Sequence, residues 1–87
     1  MKLKKDFALR QVADTWVVLS FADANINFNG MLTLNETGAM LWQLLEQGYT
    51  EDALVNALTT EIDVTKEVAE ADVAAFLTKL QQAGCLE

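Results

Sequence analysis

The sequence predicts an α+β domain: a three-stranded antiparallel sheet followed by three helices. Two observations predict this. Up to Leu34, apolar residues recur at every second position, and from Ala39 to Leu80 they recur every three or four. The change of period falls on Leu34-Asn35-Glu36-Thr37-Gly38-Ala39, which reads as a helix cap. A run of strands followed by a run of helices packs with the helices on one side of the sheet.

Phe7-Ala8-Leu9-Arg10-Gln11-Val12 alternates loosely and reads as the first strand, with Ala13-Asp14 as a turn. Thr15-Trp16-Val17-Val18-Leu19-Ser20-Phe21 is rich in β-branched and aromatic residues. It is apolar on both faces, as a central strand should be: Trp16, Val18 and Ser20 share one face, and Val17, Leu19 and Phe21 the other. Asp23-Ala24-Asn25 opens a loop, and Asn29-Gly30 is a turn or bulge signal. Met31-Leu32-Thr33-Leu34 is the third strand. Ile26-Asn27-Phe28 either extends it or forms a small hairpin with it.

Asn35 is placed to cap the first helix, which carries Ala39, Leu41, Trp42, Leu44 and Leu45 and stops at Gly48. Gly38 in the first turn costs up to about 1 kcal/mol against alanine. Close approach of another backbone is the expected reason. Thr50 caps the second helix, whose buried stripe is Leu54, Val55, Leu58 and Ile62. Thr65 caps the third, which is expected to bury Val68, Val73, Phe76, Leu77 and Leu80 and to end at Gly84. Cys85-Leu86 should fold back onto the core. The second and third helices, with their tight connection, form a helix-turn-helix-like pair.

Residues 1–87 read as one domain, with 1–6 as a flexible basic tail. A chain of this size buries only about 60–65% of its unfolded surface. The apolar fraction of 52% argues against disorder. No apolar run reaches the ~20 residues of a membrane span. No signal-peptide pattern follows the basic start, and one cysteine allows no internal disulfide, so a cytoplasmic location is expected.

The composition also excludes chemistry. Histidine is absent, which removes the commonest general base and the histidine-containing triads and metal sites. A single cysteine makes no thiolate zinc site, and four scattered glycines make no phosphate-binding loop. The acids lie along helices and turns as a solvated face, and Cys85 reads as a core filler. No catalytic residue, cofactor or metal is expected, and the domain is expected to act through its surface. The net charge is −7, and residues 11–87 hold twelve acids against Lys66 and Lys79. Phosphate contacts dominate nucleic-acid affinity, so this balance disfavours a nucleic-acid partner.

The third strand should lie at a sheet edge and carries neither charge nor proline to protect it. An extended peptide could add there as a further strand. The third helix would form a second wall through Ala69, Asp72, Ala75, Phe76 and Lys79. The alternative is that this edge is covered by the third helix or by a second copy of the chain.

The order and spacing of Thr15-Trp16-Val17-Val18-Leu19, Gly30, Leu34 to Ala39, Leu41-Trp42-Gln43-Leu44-Leu45, Gly48, Phe76-Leu77, Leu80 and Gly84-Cys85-Leu86-Glu87 resemble the PqqD family. The resemblance runs from about Phe7 to Glu87. It implies a winged helix-turn-helix-like domain that recognises the leader of a ribosomally synthesised precursor peptide. By that likeness the leader lies as a strand against Gly30, Met31, Leu32, Thr33 and Leu34, beside Asp72, Ala75, Phe76 and Lys79. Met31 and Phe76 would make the apolar contacts, while Asn35 caps and Trp42 and Leu45 pack the core. The family's domain has no catalytic residue and delivers the precursor to a maturase, often a radical SAM enzyme. This chain departs from the pattern in lacking proline after the second strand and in a longer loop over Asp23–Asn27. A pyrroloquinoline quinone pathway and a related pathway with another precursor therefore both stay open. The rival classes are a winged-helix nucleic-acid-binding regulator and a structural homodimer joined through its strands.

Overall fold

The computed structural model describes residues 2–4, 7–20 and 31–86. The order is β1 (Phe7–Val12), β2 (Thr15–Ser20), β3 (Met31–Leu34), α1 (Glu36–Glu46), α2 (Glu51–Glu61) and α3 (Lys66–Gln82). The sheet is antiparallel with order β1-β2-β3, so β2 is central, as its two apolar faces predict. The expected loop and turn over Asp23–Gly30, the hairpin at Ile26–Phe28 and the end of the second strand at Phe21 lie outside the described residues. No helix among the described residues is long and apolar enough to cross a membrane.

One short turn sets the hydrogen-bond phase of the whole sheet. Val12 pairs with Thr15, leaving Ala13 and Asp14 as a two-residue loop. Such a loop closes on a hydrogen-bonded pair, and bonded and non-bonded pairs then alternate. Thr15, Val17 and Leu19 therefore direct their backbone groups at β1, and Trp16, Val18 and Ser20 direct theirs at β3. Trp16 faces Leu34 and Val18 faces Leu32, so those two pairs carry the β2–β3 bonds. Thr33 and Met31 are left with their N–H and C=O groups pointing away from the sheet.

Ala13 adopts φ +55°. A side chain there costs roughly 1–2 kcal/mol, and glycine would relieve it while losing about 0.4–1 kcal/mol to unfolded-chain entropy. Ala13→Gly is expected to stabilise the domain by up to about 1 kcal/mol, read from the urea midpoint with an unchanged slope.

Side chains alternate across the sheet, and one face meets the helices. Phe7, Val18 and Leu34 pack there with Leu41, Trp42 and Leu45 of α1, Leu54, Val55 and Leu58 of α2, and the stripe of α3. The caps form at the expected residues. Asn35, Thr50 and Thr65 each accept a hydrogen bond from the backbone three residues on, Asn35 from Gly38 N at 2.8 Å. At Gly48 (φ +93°) and Gly84 (φ +80°) the chain turns left-handed. Tyr49 N donates to the Leu44 carbonyl and Cys85 N to the Leu80 carbonyl, satisfying the last turns of α1 and α3.

Three expectations are corrected. Val68 is 46% exposed, and the buried stripe of α3 is Ala69, Val73, Phe76, Leu77 and Leu80. Those five positions share one helix face; valine's apolarity outweighed the phase of the helix in the sequence reading. At Gly38 the nearest neighbours among the described residues are side chains, not another backbone. A Cβ there would meet the side chains of Leu34 and Asn35 at 3.3 Å, so the glycine makes room for strand residue and cap together. The start of the chain is docked rather than loose at residues 2–4. Leu3 bridges to Leu86, and Lys4 N donates to the Cys85 carbonyl at 2.9 Å. Leu3 is packed against the core, and the backbone beyond Gly84 offers its hydrogen bonds.

Candidate functional site: the β3 edge and the α3 groove

Among the described residues no strand lies on the outer side of β3. A groove of about 320 Å³ opens beside its C-terminal end, between α1 and α3. Its lining is Leu34, Asn35, Thr37, Gly38, Leu41, Asp72, Ala75, Phe76 and Lys79. Leu34 and Leu41 are nearly buried and give it an apolar floor. Gly38 keeps that floor low, since a side chain there would crowd Leu34. Asp72 and Lys79 stand two turns apart on α3, about 10 Å by the helix rise, and supply opposite charges along one wall.

Lys79 ties the wall to the strand. Its Nζ donates to the Thr33 carbonyl at 3.1 Å. This is one of the outward-pointing groups that the turn at Ala13-Asp14 leaves unpaired, so the contact agrees with the derived phase. Both groups of one residue in an antiparallel strand point the same way. The Thr33 N–H therefore faces outward too.

The structure brings together most of the residues singled out in the sequence. Leu34, Asp72, Ala75, Phe76 and Lys79 line the groove. Thr33 is exposed at the edge, and Leu32 is half-buried against the core. Met31 contributes its backbone to β3, while its side chain and Gly30 lie outside what is described. Ala69 is fully buried and leaves the groove wall, for the same phase reason that exposes Val68. Asn35 was read as a cap alone, yet it also forms part of the lining. Thr37, Gly38 and Leu41 were missed as lining residues. The sequence placed them on α1, but nothing in it showed that the first turn of α1 borders α3.

Two other hollows, of about 400 and 540 Å³, lie under residues 2–4 and between α2 and α3. Volume therefore does not select the site; the strand edge, which no strand among the described residues covers, does. Catalytic groups are sparse. Cys85 is buried, and burial, partly offset by the charge of Lys4, pushes its thiol up to about 11. It stays protonated and unreactive at neutral pH. Among the described residues no group of three histidine, cysteine or acidic side chains is arranged to hold a metal.

No curated protein matches by sequence. Among solved structures, TbiB1 in complex with the TbiA(beta) leader peptide superposes with a TM-score of 0.83 at 26% identity, covering 100% of this chain and 95% of that one. Lasso peptide synthetase B1 complexed with the leader peptide gives 0.81 at 27% identity, covering 99% and 95%. The sequence profile of coenzyme PQQ synthesis protein D matches residues 15–86, most of the chain, and the chain belongs to this PqqD family.

Proposed function

We propose that this domain captures the leader of a ribosomally synthesised precursor peptide as an added strand on β3, and presents the rest of the precursor to a maturase. The observation that carries this is the outward-facing backbone of Thr33 and Met31 beside a groove with an apolar floor and a charged wall, a pairing suited to strand addition with side-chain pockets. Two structural neighbours of nearly equal length are complexes with leader peptides, which supports the same reading. Met31 and Thr33 would supply the backbone groups, and Leu34, Ala75 and Phe76 the apolar contacts. Asp72 and Lys79 would tune selectivity more than affinity, because exposed ion pairs contribute only about 0–1 kcal/mol.

A non-catalytic role fits a sequence without histidine and a cysteine held as a thiol. The maturase supplies the chemistry, and a radical SAM enzyme is the type the family resemblance implies. A nucleic-acid role is not favoured: α3 presents Glu67, Glu70 and Asp72 to solvent, which repels phosphate.

The test is a peptide array screened with the purified domain, followed by amide shifts on titration with the strongest binder. Shifts should cluster on residues 31–34 and 72–79. Shifts scattered over the surface, or an array without a binder, would overturn the reading.

A further inference from the structure

The Thr33 carbonyl is the group an incoming strand must use, and in the unliganded domain it already has a donor. Lys79 reaches it from α3 at 3.1 Å. An antiparallel strand added to β3 places a backbone N–H on that carbonyl. The ammonium and the incoming N–H then compete for one position, so docking displaces Lys79. Once displaced, the ammonium has lost its acceptor and stands beside the new strand. It is one of only two basic side chains beyond residue 10, in a domain of net charge −7. The groove lining itself carries one other charge, Asp72.

Resting on the capture reading above, we propose that Lys79 is the selectivity gate of the groove: it holds the Thr33 carbonyl until a strand takes it over, and then selects a ligand bearing a carboxylate. The position of that carboxylate follows from the pleat. The ligand residue opposite Thr33 shares Thr33's face, which points away from the helices. Its two neighbours in the ligand point toward α3. An aspartate or glutamate immediately before or after the residue paired with Thr33 meets the released ammonium.

This assigns Lys79 an effect opposite to that of a simple contact residue. For a ligand without a carboxylate, Lys79 hinders binding, because its bond to Thr33 must be broken with no replacement. For a ligand with one, the new ion pair offsets that loss.

The experiment uses the strongest binder from the array, resynthesised with Asp or Asn at each position in turn, against wild type, Lys79→Met and Lys79→Arg. Wild type should prefer Asp over Asn by up to about 5-fold at one of the two flanking positions. Lys79→Met should lose that preference and bind the Asn peptide about 2- to 5-fold more tightly than wild type does. Lys79→Arg should keep the preference. A Lys79→Met variant that retains the preference, or that binds the Asn peptide more weakly, overturns the gate. A peptide-free measurement stands beside this: the Thr33 carbonyl carbon shift should move in Lys79→Met, and an unmoved shift overturns the latch whatever the peptides do. If that shift moves but no array peptide binds wild type, the capture reading fails and takes the gate with it, while the contact itself stands.

Discussion

Thr33→Pro should abolish strand docking while leaving the domain folded. The N–H of Thr33 points away from β2, so proline at this position removes no bond of the β2–β3 ladder. It removes instead the donor that a docked strand would use, and its ring obstructs the approaching carbonyl. The preceding residue, Leu32, is already extended, as a residue before proline must be. The thermodynamic cost to the free domain should stay below about 2 kcal/mol, and binding of the array peptide should fall at least ~10-fold, as expected when about 1.4 kcal/mol or more of interaction is lost. Leu32→Pro is the matched control. One residue away, it deletes a ladder bond to Val18 and leaves a buried carbonyl without its donor. It should lower the urea midpoint far more than Thr33→Pro does. Retained peptide binding in a folded Thr33→Pro variant would sink strand addition on β3. Equal destabilisation by the two prolines would sink the hydrogen-bond phase derived from the Val12–Thr15 turn.

How much of this was legible beforehand depended on the range of each interaction. Asn35, Thr50 and Thr65 announce their helices because a cap needs only its own side chain and an amide three residues on. Gly48 and Gly84 announce the ends for an equally local reason, the left-handed turn. The edge position of β3 could be read because β2 is apolar on both faces and so belongs in the middle. The phase of α3 was harder. Valine at 68 and alanine at 69 differ by only 100° around the helix, and hydrophobicity favoured the wrong one. The bond from Lys79 to Thr33 spans 46 positions and depends on how α3 lies across the sheet, so no local pattern contains it. The same holds for Leu3 against Leu86 and for Gly38, whose neighbour is a side chain on the preceding strand. The groove itself was half legible. Its α3 wall follows from the helical repeat, whereas Thr37, Gly38 and Leu41 join it only because the cap turns α1 back beside β3.

Trp42 offers the largest expected effect on stability, and a paired substitution separates its two contributions. The side chain is 1% exposed at the centre of the core, and its indole Nε1 has no hydrogen-bond partner among the described residues. Trp42→Ala deletes the whole ring and leaves a cavity, at about 3–5 kcal/mol. A domain of this length holds roughly 4–13 kcal/mol in total, at 0.05–0.15 kcal/mol per residue. The alanine variant should therefore be largely unfolded at 37 °C, or lose most of its urea range. Trp42→Phe is different in kind. It keeps an aromatic ring in the same pocket and also removes a donor whose burial without a partner costs about 1–3 kcal/mol. That relief opposes the lost packing, so the net cost should be within about 1.5 kcal/mol. Because the groove floor is formed by Leu41 and Leu34 rather than by Trp42, the phenylalanine variant should bind the array peptide as wild type does. If Trp42→Phe were as damaging as Trp42→Ala, the indole N–H would have to be engaged in solution. Its proton exchange, measured in the wild type, would then have to be strongly retarded beyond what burial of its neighbours predicts.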